Sequence, residues 1–228
     1  MVFKLLNNKL AWLVMFLIFN IAAFLLYPQI DIKFSNLFYR PGLGFIYKDN
    51  ICLILIHRSI YIISYIIIAY LILSLLYNII TSKKLFELFG KKDLIYVLLC
   101  LAIGPGLIVN YAFKDNIFGR ARPCNIEEFG GDKNFTPIFT ISDNCSKNCS
   151  FTSGHAALAF FLTSFAFVAK SRSRLIFISA MIFGVIVSMG RVIQGGHFLS
   201  DVIFSGIIVI AVNMGIARLF ACQEALLK

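Results

Sequence analysis

The sequence predicts an all-α fold, a polytopic membrane bundle of six transmembrane helices. Hydrophobic residues make up 60% of the 228, including 24 Phe, which is more apolar surface than a soluble core of this length buries. Six apolar stretches approach the ~20 residues that a helix needs to cross a hydrocarbon core of ~30 Å. Lys and Arg gather in alternate connections, as membrane insertion requires of short cytoplasmic segments.

The first stretch, residues 10–29, follows Lys4 and Lys9. It is longer than the apolar region of a secretory leader, and no small-x-small cleavage pattern follows Tyr27, so it is expected to stay as a first span. The others cover residues 59–81, 94–113, 154–169, 175–190 and 202–220. Leu175 to Gly190 alone could be a buried helix of a soluble domain, but six such stretches in series exclude that class.

Lys83, Lys84, Lys91 and Lys92 sit between the second and third stretches, and Lys170, Arg172 and Arg174 between the fourth and fifth. With Lys4 and Lys9, they put both termini in the cytoplasm. Loops at about residues 28–58 and 114–153, and the turn Gln194 to Ser200, then lie on the other side. The chain reads as a single membrane domain over 1–228. Much of the net charge of +10 is therefore a topology signal. Without a contiguous basic stripe or an aromatic platform, nucleic acid is not an expected partner.

In the first loop, Arg40-Pro41-Gly42-Leu43-Gly44 is a turn signal, followed by the apolar run Ile51 to Ile56. This loop is expected only to connect two spans. The second loop holds Cys124, Cys145 and Cys149. An oxidising compartment allows a disulfide there, expected between Cys124 and either Cys145 or Cys149. Zinc is disfavoured because paired C-x-x-C hooks are missing. Cys52, Cys100 and Cys222 read as apolar fillers or free thiols.

Chemistry-bearing residues occur as three clusters: Lys114 with Arg120, Arg122 and Pro123; Ser153-Gly154-His155; and Arg191, His197 and Asp201. Alternating span direction brings all three to one face. A lone cation at a span end is ordinarily a snorkelling anchor, but four beside two histidines are equipment for a phosphate. Arg offers a planar fork to two oxygens and Lys a point charge. The amides at the start of the fourth span, near Ser153 and Gly154, suit a third oxygen, with Gly154 allowing close backbone approach. His197 and Asp201 are four apart and share a helical face, so the carboxylate can orient the ring. His197 is then the candidate nucleophile, and His155 the candidate acid for the leaving oxygen.

These residues resemble the type-2 phosphatidic acid phosphatase superfamily, with its pattern Lys-x6-Arg-Pro, Pro-Ser-Gly-His and Ser-Arg-x5-His-x3-Asp. Lys114, Arg122 and Pro123, then Ser153, Gly154 and His155, then Arg191, His197 and Asp201 match it in order over about residues 114–201. Seven residues separate Lys114 from Arg122 where the family has six, so Arg120 is a candidate to share the task of Lys114. Thr152 replaces the family's Pro, and Gly190 its Ser.

The resemblance implies a six-helix membrane lipid phosphatase working through a phosphohistidine on His197, with Asp201 as its partner, His155 as acid, no metal and no cofactor. It implies a phosphorylated membrane lipid as substrate, within the bilayer of a bacterial inner membrane and with the site on the periplasmic face. Lipid A phosphatases among members with similar Gly-Arg-x-Arg-Pro and Gln-Gly-Gly-His-Phe segments make lipid A the expected substrate. The alternatives are undecaprenyl pyrophosphate or phosphatidylglycerol phosphate as substrate, transfer to another lipid, or phospholipid binding without turnover.

Overall fold

The computed structural model describes residues 2–81 and 89–226, with side chains described over 10–81 and 89–220. Lys83, Lys84 and the side chains of Lys4, Lys9 and Cys222 lie outside the described residues.

Continuous apolar sequence gives long helices, and their polar interruptions set the ends. Helix α1 (Val2–Leu26) stops before Pro28, and the short α2 (Gln29–Asn36) leaves it at 86°. After a two-stranded hairpin, α3 (Ile51–Thr81) follows. Helix α4 (Lys91–Leu101) continues in wide π-type turns over Ala102–Ile117. Helices α5 (Gly154–Phe161) and α6 (Phe165–Val168) are joined through one 3-10 turn, and α7 (Ser173–Ile193) and α8 (Leu199–Leu226) complete the chain.

The chain is largely helical, as expected, and the described residues hold four or five candidate membrane spans. Among the described residues, four helices are long and apolar enough to cross a bilayer: α3, Lys91–Ile117, α7 and Leu199–Phe220. A fifth crossing results if the bent pair α1 and α2 counts as one. The fourth predicted stretch forms a shorter apolar helix over Gly154–Val168, because Ala169 turns extended and ends it.

This short helix is the most enclosed part of the bundle. Ala156, Ala157, Phe160 and Phe161 pack into the main core with Val192, Val202 and Val209, and Ala159 packs with Ile60 of α3 and Val187 of α7. Small side chains on α5 let α3, α7 and α8 close around it, and burial of the remaining apolar groups drives that closure.

The first loop departs from its expected role as a plain connection. Its turn signal does form a hairpin, Tyr39–Arg40 against Gly44–Phe45, with Gly42 and Gly44 at φ of +81° and +75°. Phe45 and Tyr39 then pack at steep angles against Phe129 of the second loop, with ring centroids 5.3 and 5.0 Å from its own. The run Ile51 to Ile56 forms the first turns of α3 instead of lying outside it. The two loops thus make one cap, and Asp31 and His57 reach the cluster beneath it.

Candidate active site

The site lies where the start of α5, the turn between α7 and α8 and the second loop converge. Ser153 is the N-cap of α5, its hydroxyl accepting from the Ala156 amide at 3.4 Å. Its own amide donates to Ser205 Oγ at 2.8 Å, and that hydroxyl donates to the Asp201 carbonyl at 2.7 Å. Ser153 thereby ties α5 to α8. A Cβ on Gly154 would stand 2.5 Å from Asn110 Oδ1, so the missing side chain here admits Asn110. The Gly154 and His155 amides, in the first turn of α5, have no intrahelical acceptor.

His197 is completely buried just before α8. Its Nδ1 lies 2.7 Å from the Ser150 carbonyl, which can only accept, so Nδ1 carries the proton. Nε2 is left with its lone pair and has no hydrogen-bond partner among the described residues. Burial lowers the pKa of this ring to about 3 against the opposing pull of Asp201, with Lys114 and Arg191 adding to the lowering. A neutral imidazole with an open Nε2 is the nucleophilic form.

Asp201 stands 3.7 Å from His197 Nδ1, beyond hydrogen-bond distance. Its Oδ2 accepts from the Ser150 hydroxyl at 2.5 Å and the Phe198 amide at 2.8 Å. Its Oδ1 accepts from Arg120 at 2.6 Å. The expected direct carboxylate-imidazole bond is therefore replaced by an arrangement through Ser150. That residue presents its carbonyl to the ring and its hydroxyl to the carboxylate.

Arg120 departs most from the sequence reading. Its guanidinium donates to Asp31 at 2.8 Å, Asp201 at 2.6 Å, Ser200 Oγ at 2.9 Å and the Thr136 carbonyl at 2.7 Å. It also lies over the Phe198 ring, 4.2 Å from the centroid. Burial opposes its charge, but Asp201 and Asp31 outweigh burial and raise its pKa above the ordinary value. With those donors committed inward, Arg120 is a buried tie between the first loop, the second loop and α8 rather than an open anion ligand. Asp31 completes the tie by accepting from the Ser200 amide at 2.9 Å and the Ser200 hydroxyl at 2.5 Å.

The remaining cations converge. Lys114 is buried at the end of its helix, and Arg191 is buried in the last turn of α7. Arg191 donates to Gln194 Oε1 at 2.7 Å, and its Nε has no hydrogen-bond partner among the described residues. Arg122 is held by Asn148, donating to its carbonyl at 3.0 Å and to its Oδ1 at 2.9 Å. Lys114, Arg122 and Arg191 lie within electrostatic reach of one another, and Lys114 and Arg191 also within reach of His155 and His197. His155 is buried, and neither ring nitrogen has a hydrogen-bond partner among the described residues. Three like charges held together beside two imidazole rings form a pocket that an anion would stabilise.

A disulfide joins Cys145 to Cys149, and Cys124 is free. The expected bond to Cys124 is corrected by local geometry. Asn148 takes a left-handed turn with φ of +55°, which folds residues 145–149 back until their terminal Cα atoms are 5.6 Å apart. The Cys124 thiol bonds Asn125 instead. Cys52 and Cys100 are free thiols, as expected.

Asp31, Ser150, Asn148 and His57 were not singled out in the sequence. Serine, asparagine and acidic residues in loops carry no signal without the fold, and His57 stands in an apolar run. A histidine there, one turn from Tyr61, was the only available hint.

No solved structure matches the chain. The sequence profile of the PAP2 superfamily matches residues 94–222. A protein of Francisella tularensis subsp. novicida named lipid A 4'-phosphatase is 40% identical over 189 residues, covering 82% of this chain and 84% of that protein. A Rhizobium leguminosarum protein of the same name is 28% identical over 217 residues, 90% of this chain and 93% of the relative. A third, from Rhizobium etli, is 30% identical over 195 residues, 80% and 76% of the two chains. The matched segment carries all three motif clusters and extends over more than half of the sequence, and on that ground the chain belongs to the PAP2 superfamily.

Proposed function

We propose that this membrane phosphatase removes the 4'-phosphate of lipid A at the periplasmic face of the inner membrane, through a phosphohistidine on His197. The observation that carries the reading is the open, unprotonated Nε2 of His197, with Nδ1 bonded to the Ser150 carbonyl and Lys114 and Arg191 close by. The phosphatase class follows from family membership. The substrate rests on three relatives named lipid A 4'-phosphatase, and the orientation on Lys and Arg in alternate connections, which puts both termini in the cytoplasm.

Lys114, Arg122 and Arg191 would hold the phosphoryl oxygens, with the first amides of α5 adding donors. His197 Nε2 attacks phosphorus in line, forming a P–N bond as the P–O bond to the sugar breaks. The proton carried by His155 goes to the departing sugar oxygen. Neutral His155 then takes a proton from water as the water oxygen attacks phosphorus. Cleavage of the P–N bond releases inorganic phosphate and restores both rings. Charge growing on the oxygens is met by cations already in place.

The test is mass spectrometry of lipid A from cells with and without the protein, with phosphate release by purified enzyme. Lipid A lacking its 4'-phosphate only where the wild type is present is the expected result, and His197→Ala should lower the rate by at least ~10³-fold. Unchanged lipid A with folded wild type, or full activity in His197→Ala, would overturn the proposal.

A further inference from the structure

Helix α3 lies outside the segment matched to the superfamily, yet its first turns touch the site. Ile56 and Ile60, four apart, pack against Ala159 of α5 and Val187 of α7, which fixes the rotation of α3. The neighbouring pair on the helix, His57 and Tyr61, is thereby turned toward His155. The His57 and His155 ring centroids are 4.2 Å apart with planes crossed at 71°. Tyr61 meets the same ring at 4.6 Å and 68°. His155 is thus flanked by two edge-to-face partners, a preferred aromatic geometry.

His57 is itself tethered. Its Nδ1 lies 3.5 Å from Arg191 Nη1, and since a guanidinium only donates, Nδ1 must face it as the acceptor. Among the described residues His155 has no hydrogen-bond partner at either nitrogen, and the ring contacts limit its rotation. A proton donor must point at the departing oxygen to be effective.

We infer that His57, together with Tyr61, is a positioning residue for this reaction, holding the His155 ring in the orientation that delivers its proton to the leaving group. This rests on the assignment of His155 as the acid in the proposed function. The inference makes a demand that a merely structural role does not: damage should depend on how much the leaving oxygen needs a proton. A sugar alkoxide needs one, whereas p-nitrophenolate departs readily without it.

The experiment compares kcat/KM for lipid A and for p-nitrophenyl phosphate in the full-length wild type, His57→Ala, His57→Phe and Tyr61→Leu. In His57→Ala the lipid A value should fall by about tenfold or more, and the p-nitrophenyl phosphate value by less than about threefold. His57→Phe keeps a flat ring and should recover most of the lipid A value. Tyr61→Leu removes the second flanking ring and should show the same leaving-group dependence, which tests the inference even where His57→Ala fails to fold. Equal losses on both substrates, no loss on either, or a His57→Phe as impaired as His57→Ala would overturn it. A wild type that hydrolyses neither substrate overturns the phosphatase reading itself, an outcome visible before any variant is compared.

Discussion

Ser150 holds His197 by its backbone, the carbonyl lying 2.7 Å from Nδ1, and reaches the carboxylate of Asp201 with its hydroxyl at 2.5 Å. Ring and carboxylate are thus coupled through one residue. Ser150→Ala keeps the carbonyl and loses only the hydroxyl bond to a charged group, an interaction of about 1.5–3 kcal/mol. The expected outcome is a kcat lowered by ~10-fold with KM nearly unchanged, measured as phosphate release from lipid A. A kcat equal to wild type would show that the link to Asp201 does not matter to the ring.

Arg120 and Arg122, two positions apart, should fail in different ways. Arg120→Ala leaves Asp31 and Asp201 as buried carboxylates without their cation. Removing one partner of such a group costs about 3–5 kcal/mol, so the thermal midpoint in detergent should drop sharply. Arg122→Ala removes a half-buried side chain held by Asn148. It should melt near the wild-type temperature and show a raised KM. Thermal unfolding beside steady-state kinetics checks both, and the reverse pattern would refute the distinction.

The Cys145–Cys149 bond closes the turn that carries Asn148, and Asn148 holds Arg122. The Cys149 amide also donates to the Lys114 carbonyl. Replacing both cysteines by serine should therefore raise KM for the phosphorylated lipid. Cys124→Ser should not, because its thiol lies outside the linkage. Kinetics of both variants, with and without reductant, provide the check, and an unaltered KM in the double variant would dissociate the turn from the site.

His197 also predicts a pH dependence of stability. Its folded pKa of about 3 lies below the ordinary value of about 6.5. The unfolded chain thus takes up a proton that the folded one refuses. The stabilising difference is complete above about pH 6.5 and shrinks as pH falls toward 3. His197→Phe should flatten this part of the stability profile, as measured by unfolding midpoints between pH 7 and 4. An identical acid slope in wild type and variant would assign it to other groups.

The motif residues were legible because each depends on local order: Ser153 caps the helix that His155 begins, and His197 lies four residues before Asp201. What was hidden depends on distance in the chain. Asp31 is 89 positions from the Arg120 it neutralises, and no periodicity marks such a pair. The same limit explains the disulfide, where three cysteines in one loop left the pairing to a single left-handed residue, Asn148. The apolar run before His57 was legible as greasy but not as helix, since six apolar residues suit a loop edge or a first turn equally well.

The shortness of Gly154–Val168 has a bearing on how a lipid is reached. Fifteen residues rise only ~22 Å, against a hydrocarbon core of ~30 Å. With its far end held at one interface by Lys170, Arg172 and Arg174, as the proposed orientation requires, the helix would begin ~8 Å below the opposite one. On the proposed function, His155 would work from a well sunk beneath the headgroup plane. On the same reading a phosphorylated sugar would dip into that well, where sparse water would leave the surrounding cations unscreened and their hold on the phosphate strongest.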